Sequence, residues 1–164
     1  MEGWSITGSH AGEYELKATN ERVDGKRVAE LRCKVEHPGG FGAQVQTFSA
    51  EEYLGKRVRF SGLLRTESVE GWAGLWMRVD AKEVAHLAFD NMQDRSLTGT
   101  TEWTRCEIVL DVAPEAARVL VGTILHGSGT VYMADFSVEA VGQDVPTTGV
   151  PTRKQPVNLD FEGG

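Results

Sequence analysis

The stretch GWAGLWMRVDAKEVAHLAFDNMQDR, residues 71–95, gathers the side chains of this chain best suited to holding a ligand. Side chains of a β-strand alternate between its two faces. Read as a strand, residues 72–80 put Trp72, Gly74, Trp76, Arg78 and Asp80 on one side, and Ala73, Leu75, Met77 and Val79 on the other. The second set is a core stripe. The first is costly to leave in water without a purpose, and its chemistry suits a polyhydroxylated molecule. An indole plane covers the apolar C–H face of a pyranose, and an arginine beside an aspartate can chelate adjacent hydroxyls. Gln44 and Gln46, from a strand expected alongside, are read as joining this face. Asp90, Asn91, Gln93 and Arg95 would reach it from the following loop, and His126, at a strand end beside Gly127, lies near it. Alternatively, Trp72 and Trp76 seal an outer face or a subunit contact and Arg78 and Asp80 are a structural ion pair; a protein interface would use the same residue types, because aromatics and arginine dominate its binding energy.

Other chemistry fits less well. Asp80 and Asp90 could face each other as a glycosidase pair, yet carboxylates are plentiful and nothing singles out an acid with a shifted pKa. GxSxG, HExxH, P-loop and dinucleotide-binding patterns are all missing from the sequence. The chain is therefore read as non-catalytic. The run FDNMQDR offers the oxygens of Asp90, Asn91 and Asp94, but it lacks a DxDxDG-type loop, and calcium takes about six to eight oxygens. Capping of the loop by Asp and Asn side chains is the reading preferred for the run. Cys33 and Cys106 each fall in step with apolar neighbours, with no CxxC pattern, and read as buried reduced thiols. No metal and no cofactor are assigned.

The elements that must position these residues are short. Candidate strands cover 13–19, 28–36, 43–48, 57–66, 72–80, 84–90, 105–112, 118–126 and 130–141, separated by VDGK, HPGGFG, EEYLGK, DRSLTGTTEW, APEAA and HGSG. Such glycine, proline and Asp/Asn punctuation marks tight connections, and the whole points to an all-β antiparallel sandwich. Short helical turns are expected at 49–54, capped by Ser49, and at 113–117; neither is long enough for the crossover of a parallel sheet. Both sides of 118–126 are fairly apolar, which suits a central strand.

A length of 164 residues fits one domain. The net charge of −7, with no lysine–arginine cluster, argues against direct contact with nucleic acid. No apolar run approaches the roughly 20 residues that span a bilayer, and MEGWSITGSH has neither the basic nor the apolar region of a signal peptide. A cytoplasmic location without a membrane partner is expected. Residues 1–142 form the expected sandwich. The Pro/Gly-containing run 143–156 reads as a linker, and 157–164 recovers strand-like alternation.

The pieces GWAGLWMRVD, AFDNMQDR, GTTEW and GSGTVYMADFSVE resemble a bacterial galactose-binding-like jelly-roll module, similar to the carbohydrate-binding modules of glycosidases. Look-alikes occur attached to AraC-type transcription regulators, attached to C-terminal-processing-type peptidases, and as free-standing small proteins. The resemblance covers roughly residues 3–148 and implies a ligand-binding or sensory module for a carbohydrate-like or other polar small ligand, associated with transcriptional regulation. The alternative is a protein-interaction or dimerisation module using the same face, and a homodimer stays open. Such domains often begin with a strand similar to NLDFE, which here stands near the C-terminus at residues 158–162. It would start a following repeat or, as we favour, complete this sandwich in its own subunit or a neighbour's. Members of this class often carry a structural calcium, to which Asp135 and Glu139, with Glu13 or Asp160, could contribute.

Overall fold

The computed structural model describes residues 1–149; the tail strand expected at 157–164 lies outside the described residues. Among them eleven strands form: β1 (Ser5–Thr7), β2 (Tyr14–Val23), β3 (Lys26–Cys33), β4 (Phe41–Ser49), β5 (Arg57–Glu67), β6 (Val69–Ala81), β7 (Ala88–Asp90), β8 (Leu97–Gly99), β9 (Thr104–Asp111), β10 (Ala116–His126) and β11 (Thr130–Val141). They pair antiparallel in two sheets. The front sheet runs β1-β4-β10-β6-β7, with β8 also on β6, and the back sheet runs β2-β3-β11-β5-β9. The architecture is the expected all-β jelly-roll sandwich, and β10 is central in its sheet.

Alternation builds the core. Ala73, Leu75, Met77 and Val79 of β6 are fully enclosed and meet Phe60, Leu64, Leu31 and Ile108 from the back sheet. Each large apolar side chain buried there contributes about 1.5–3 kcal/mol. Cys33 and Cys106 are buried free thiols, as expected, and burial pushes the Cys106 thiol up to about 11. Tight turns set the register between strands. Asp24 and Gly25 both adopt positive φ and close the β2–β3 hairpin, the conformation that an Asp-Gly pair supplies cheaply.

The expected elements differ from the structure at their margins. The short strands β1 and β8 carry too few residues for alternation to show. The strand expected over 84–90 shrinks to Ala88–Asp90, because the preceding residues fold back over the end of β6. There the Ala81 N–H donates to the Val84 carbonyl and the Leu87 N–H to the Val79 carbonyl, each at 2.7 Å. The turn expected at 49–54 is a 3-10 turn over Glu51–Tyr53, with the Ser49 hydroxyl accepting the Glu51 N–H at 3.1 Å. Residues 113–117 make only a single turn into β10. After β11 the chain follows the back sheet's edge: the Thr148 N–H donates to the Val109 carbonyl (2.8 Å), and Arg57 donates to the carbonyls of Gln143 and Val145.

One buried tyrosine ties the two loops at one end of the sandwich. Tyr14 Oη donates to the Gly127 carbonyl at 2.7 Å, with the Gly40 carbonyl 3.0 Å away, and a side chain at Gly42 would strike its ring. Burial, with a smaller contribution from Cys33, raises the Tyr14 hydroxyl to about 12, so it remains a donor. Tyr14→Phe should lower stability by about 1 kcal/mol through the lost hydrogen bond. A urea midpoint equal to that of the parent would contradict this clamping role.

Candidate functional site

The outward face of the front sheet is a set of cross-strand rungs, read off the pairing of β4, β10 and β6. Phe41, His126 and Trp72 form the first rung, and Ala43, Ile124 and Gly74 the second. Gly122 then pairs with Trp76. Thr47, Leu120 and Arg78 follow, with Phe89 of β7 opposite Arg78, and Ser49, Arg118 and Asp80 close the series. The five outward residues expected on β6 thus occupy five successive rungs.

At one end three rings stack across three strands. The His126 ring lies 4.4 Å from that of Trp72 at 16° and 4.8 Å from that of Phe41 at 26°. Burial holds the His126 pKa below its ordinary value, so the sandwiched imidazole is neutral at physiological pH. Trp72 and Phe41 are half-buried and keep ring area open to solvent.

The middle of the face is a floor. The Trp76 indole lies against Gly122, and its Nε1–H donates to the Gln44 carbonyl at 3.0 Å. A side chain at Gly122 would strike that carbonyl and crowd the indole. Trp76 is only 7% exposed, so it is not the open stacking platform expected from the sequence; it supports Ile124 and Ala43.

At the far end Asp80 is completely enclosed. Its carboxylate accepts from Arg78 Nε (3.0 Å) and Nη2 (3.0 Å) and from the His86 backbone N–H (2.9 Å), and Arg118 Nε lies 3.3 Å away. Burial alone would raise the carboxyl. The His86 N–H, then Arg78 and Arg118, outweigh it and hold Asp80 below its ordinary range. His86 adopts a φ of +61° to present that N–H.

Between the two ends lies a groove of about 350 Å³, lined by Phe41, Trp76, Arg78, His86, Phe89 and Ile124 among others. Its size suits a small ligand. A larger hollow of about 870 Å³ lies beside β7, but its carboxylates Asp90, Asp94 and Asp111 are already paired with Arg95 or Arg57.

Several expected site residues lie elsewhere. Gln44 and Gln46 sit on the inward side of β4: Gln44 is buried opposite Ile6, and Gln46 Nε2 donates to the Gly3 carbonyl. Their polarity suggested the ligand face, whereas the strand turns Phe41, Ala43, Val45 and Thr47 toward it. Asp90 pairs opposite Met77 and so shares the inward side. Burial, which raises its carboxyl, is outweighed first by Arg95 and then by Thr148 and the Met92 N–H. Arg95 is spent on Asp90 (2.7 Å), Asp94 (2.7 Å) and the Glu107 carbonyl (2.9 Å), and Asn91 Oδ1 accepts the Gln93 N–H. This loop is capped by its own side chains. Its Met92 Sδ accepts the N–H of Leu75, where β6 lacks a strand neighbour between β7 and β8.

Asp80 and Asp90 therefore lie on opposite sides of the sheet, both held ionised, without the raised pKa of a general acid. Asp135 and Glu139, raised as calcium ligands, pair with Arg105 (2.9 Å) and Arg59 (3.0 Å). Among the described residues no group of three or more His, Cys, Asp or Glu side chains is arranged to hold a metal. Phe41, Phe89, Leu120, Ile124 and Arg118 were missed as site residues. The alternation in 118–126 could have supplied Arg118, Leu120 and Ile124 once that strand was paired with β6.

Two outcomes follow. Gly122→Ala should displace the Trp76 indole, cost about 2 kcal/mol through overpacking, and red-shift the tryptophan emission; an unchanged spectrum and melting temperature would contradict the packing. The lowered pKa of Asp80 means its contribution to stability is complete above the ordinary carboxylate pKa of about 4 and is lost as pH falls through the folded value. Asp80→Asn keeps an acceptor for His86 but strips two arginines of their partner. It should cost about 3 kcal/mol near neutral pH and flatten the fall in stability below about pH 4. An acid denaturation profile with undiminished steepness would contradict the assignment.

No family model matches the sequence. The chain is 40% identical over 168 aligned positions to the uncharacterised HTH-type transcriptional regulator YbfP of Bacillus subtilis, an alignment covering 99% of this chain and 57% of that protein. The chain thus spans little more than half the length of that curated relative. Among solved structures it superposes on the enzymatically active domain of tailspike protein 4 of bacteriophage CBA120 with a TM-score of 0.67 at 12% identity, covering 85% of this chain and 20% of that one. It also superposes on the C-terminal family 22 carbohydrate-binding module of Clostridium thermocellum Xyn10B, with a TM-score of 0.59 at 11% identity over 88% of this chain and 89% of that module. The chain has the jelly-roll fold of the carbohydrate-binding modules.

Proposed function

We propose that this chain is a non-catalytic ligand-binding module that takes a saccharide across the outward face of its front sheet, as the sensory part of a transcription regulator. One observation carries the reading: a preformed groove runs from Phe41, the outer ring of the Phe41–His126–Trp72 stack, to Arg78, which with Arg118 is fixed on Asp80. The rings offer flat apolar surface to sugar C–H faces, and the guanidiniums offer donors to hydroxyls. The likeness to a module studied for ligand binding in its cleft supports this reading, as does the relationship to an HTH-type regulator. No helix among the described residues is long and apolar enough to cross a membrane.

A second reading has its own observation. Phe89, which lines the same groove, is 39% exposed, as at a protein contact. Calorimetric titration with neutral and acidic oligosaccharides, beside sedimentation analysis, separates the two. Saccharide binding requires a saturable heat that Trp72→Ala weakens at least about tenfold while the melting temperature holds. If no saccharide binds and Trp72→Ala converts a dimer to monomer, the face is an interface.

A further inference from the structure

The groove has a sign. Of the residues lining it, Arg78 carries a fixed positive charge, His86 is the only other ionisable side chain, and no carboxylate is among them. Arg118 stands behind Arg78, and the two guanidiniums share the single carboxylate of Asp80, so this end of the groove keeps one positive charge in a chain of net charge −7. Asp80 cannot meet a ligand: it is completely enclosed and bonded from three directions. It fixes Arg78 through Nε and Nη2, leaving Nη1 without a partner among the described residues.

The contrast with the rest of the surface is informative. On the back sheet, arginines alternate with carboxylates: Arg57 with Asp111, Arg59 with Glu107 and Glu139, Arg65 with Glu21, Arg105 with Asp135. Elsewhere on that sheet Arg22 and Arg27 stand opposite each other with backbone carbonyls as their partners, so the groove is set apart by the apolar surface beside its guanidinium and not by charge alone. Among the described residues only Asp80 is shared by two arginines, and one of them, Arg78, lines the groove beside apolar surface formed by Leu120, Ile124 and Phe89. A neutral sugar would leave that charge unanswered, whereas an anionic oxygen would pair with the free donors of a guanidinium already held in place.

We infer that the ligand is an acidic saccharide, its ring body on the apolar floor and its anionic group against Arg78 at the His86 rim. This inference rests on the saccharide reading and narrows it. The anion could be a uronic carboxylate or a sugar phosphate, since a guanidinium pairs with either.

The test compares three probes by calorimetry on the intact chain: galactotriose, the corresponding galacturonic acid trisaccharide, and galactose 6-phosphate. At low salt an acidic probe should bind at least about tenfold more tightly than the neutral trisaccharide, as a charge-assisted contact allows. That preference should shrink as ionic strength rises, a readout on the unaltered protein that needs no variant. Arg78→Met should abolish the preference; Arg78→Lys should retain part of it, having the charge without the fork. The more tightly bound of the two acidic probes identifies carboxylate or phosphate. A neutral trisaccharide bound as tightly as both acidic probes would overturn the inference while leaving the saccharide reading intact. Binding of none of the three would overturn the inference, and the saccharide reading would fall only if the wider neutral and acidic panel also gave no heat.

Discussion

Both faces of β6 must be kept from water, yet only one has a second sheet to bury against. The inward side chains Ala73, Leu75, Met77 and Val79 solve this in the usual way, inside the sandwich. On the outward side the sheet's own neighbours must supply the cover. Trp76 lies against Gly122 and reaches the Gln44 carbonyl, His126 and Phe41 stack beside Trp72, and Asp80 is enclosed beneath Arg78 and Arg118 with the His86 N–H. These contacts fix the side chains before any ligand arrives. A groove remains because the cover is built from the ends inward, around a low middle of Gly122, Ala43 and Ile124.

The back sheet shows what a merely solvated face looks like. Its outward residues form a lattice of ion pairs, exposed and each worth little, around a guanidinium of Arg65 that sits 4.0 Å from the Tyr132 ring centroid and 5.4 Å from that of Trp103. Two faces of one sandwich thus follow different rules. The back face pairs most of its charges with each other, while the front face presents rings and two arginines on one carboxylate. That difference, more than the likeness of fold, underlies our proposal that the front sheet is the functional surface, because this fold hosts unrelated functions.

The strand pattern was legible because period-two alternation survives wherever one side is buried, as in 57–66, 72–80 and 118–126. The outward face of β6 was legible for the same reason. Its partners were not. Gln44 and Gln46 were assigned by polarity, but a strand's inward side is decided by pairing, and pairing of β4 with β1 and β10 turns Gln44 into the core. The loop after β7 misled in a similar way: Asp90, Asn91 and Arg95 look like free recognition groups in sequence, yet they satisfy one another and the backbone. Arg118 was invisible as a site residue because its role depends on a cross-strand neighbour 38 positions away, Asp80.

The four tryptophans provide the most direct test, since each marks a different region: Trp72 and Trp76 the front face, Trp4 an edge-on contact with Phe136, and Trp103 the back face. Their indole Nε1–H signals can be followed one by one in a nitrogen-15 NMR titration with an acidic oligosaccharide. The account requires the Trp72 and Trp76 signals to move with a common saturation curve while those of Trp4 and Trp103 stay in place. Saturable movement of Trp103 with Trp72 and Trp76 unmoved would put the ligand on the back sheet and contradict it.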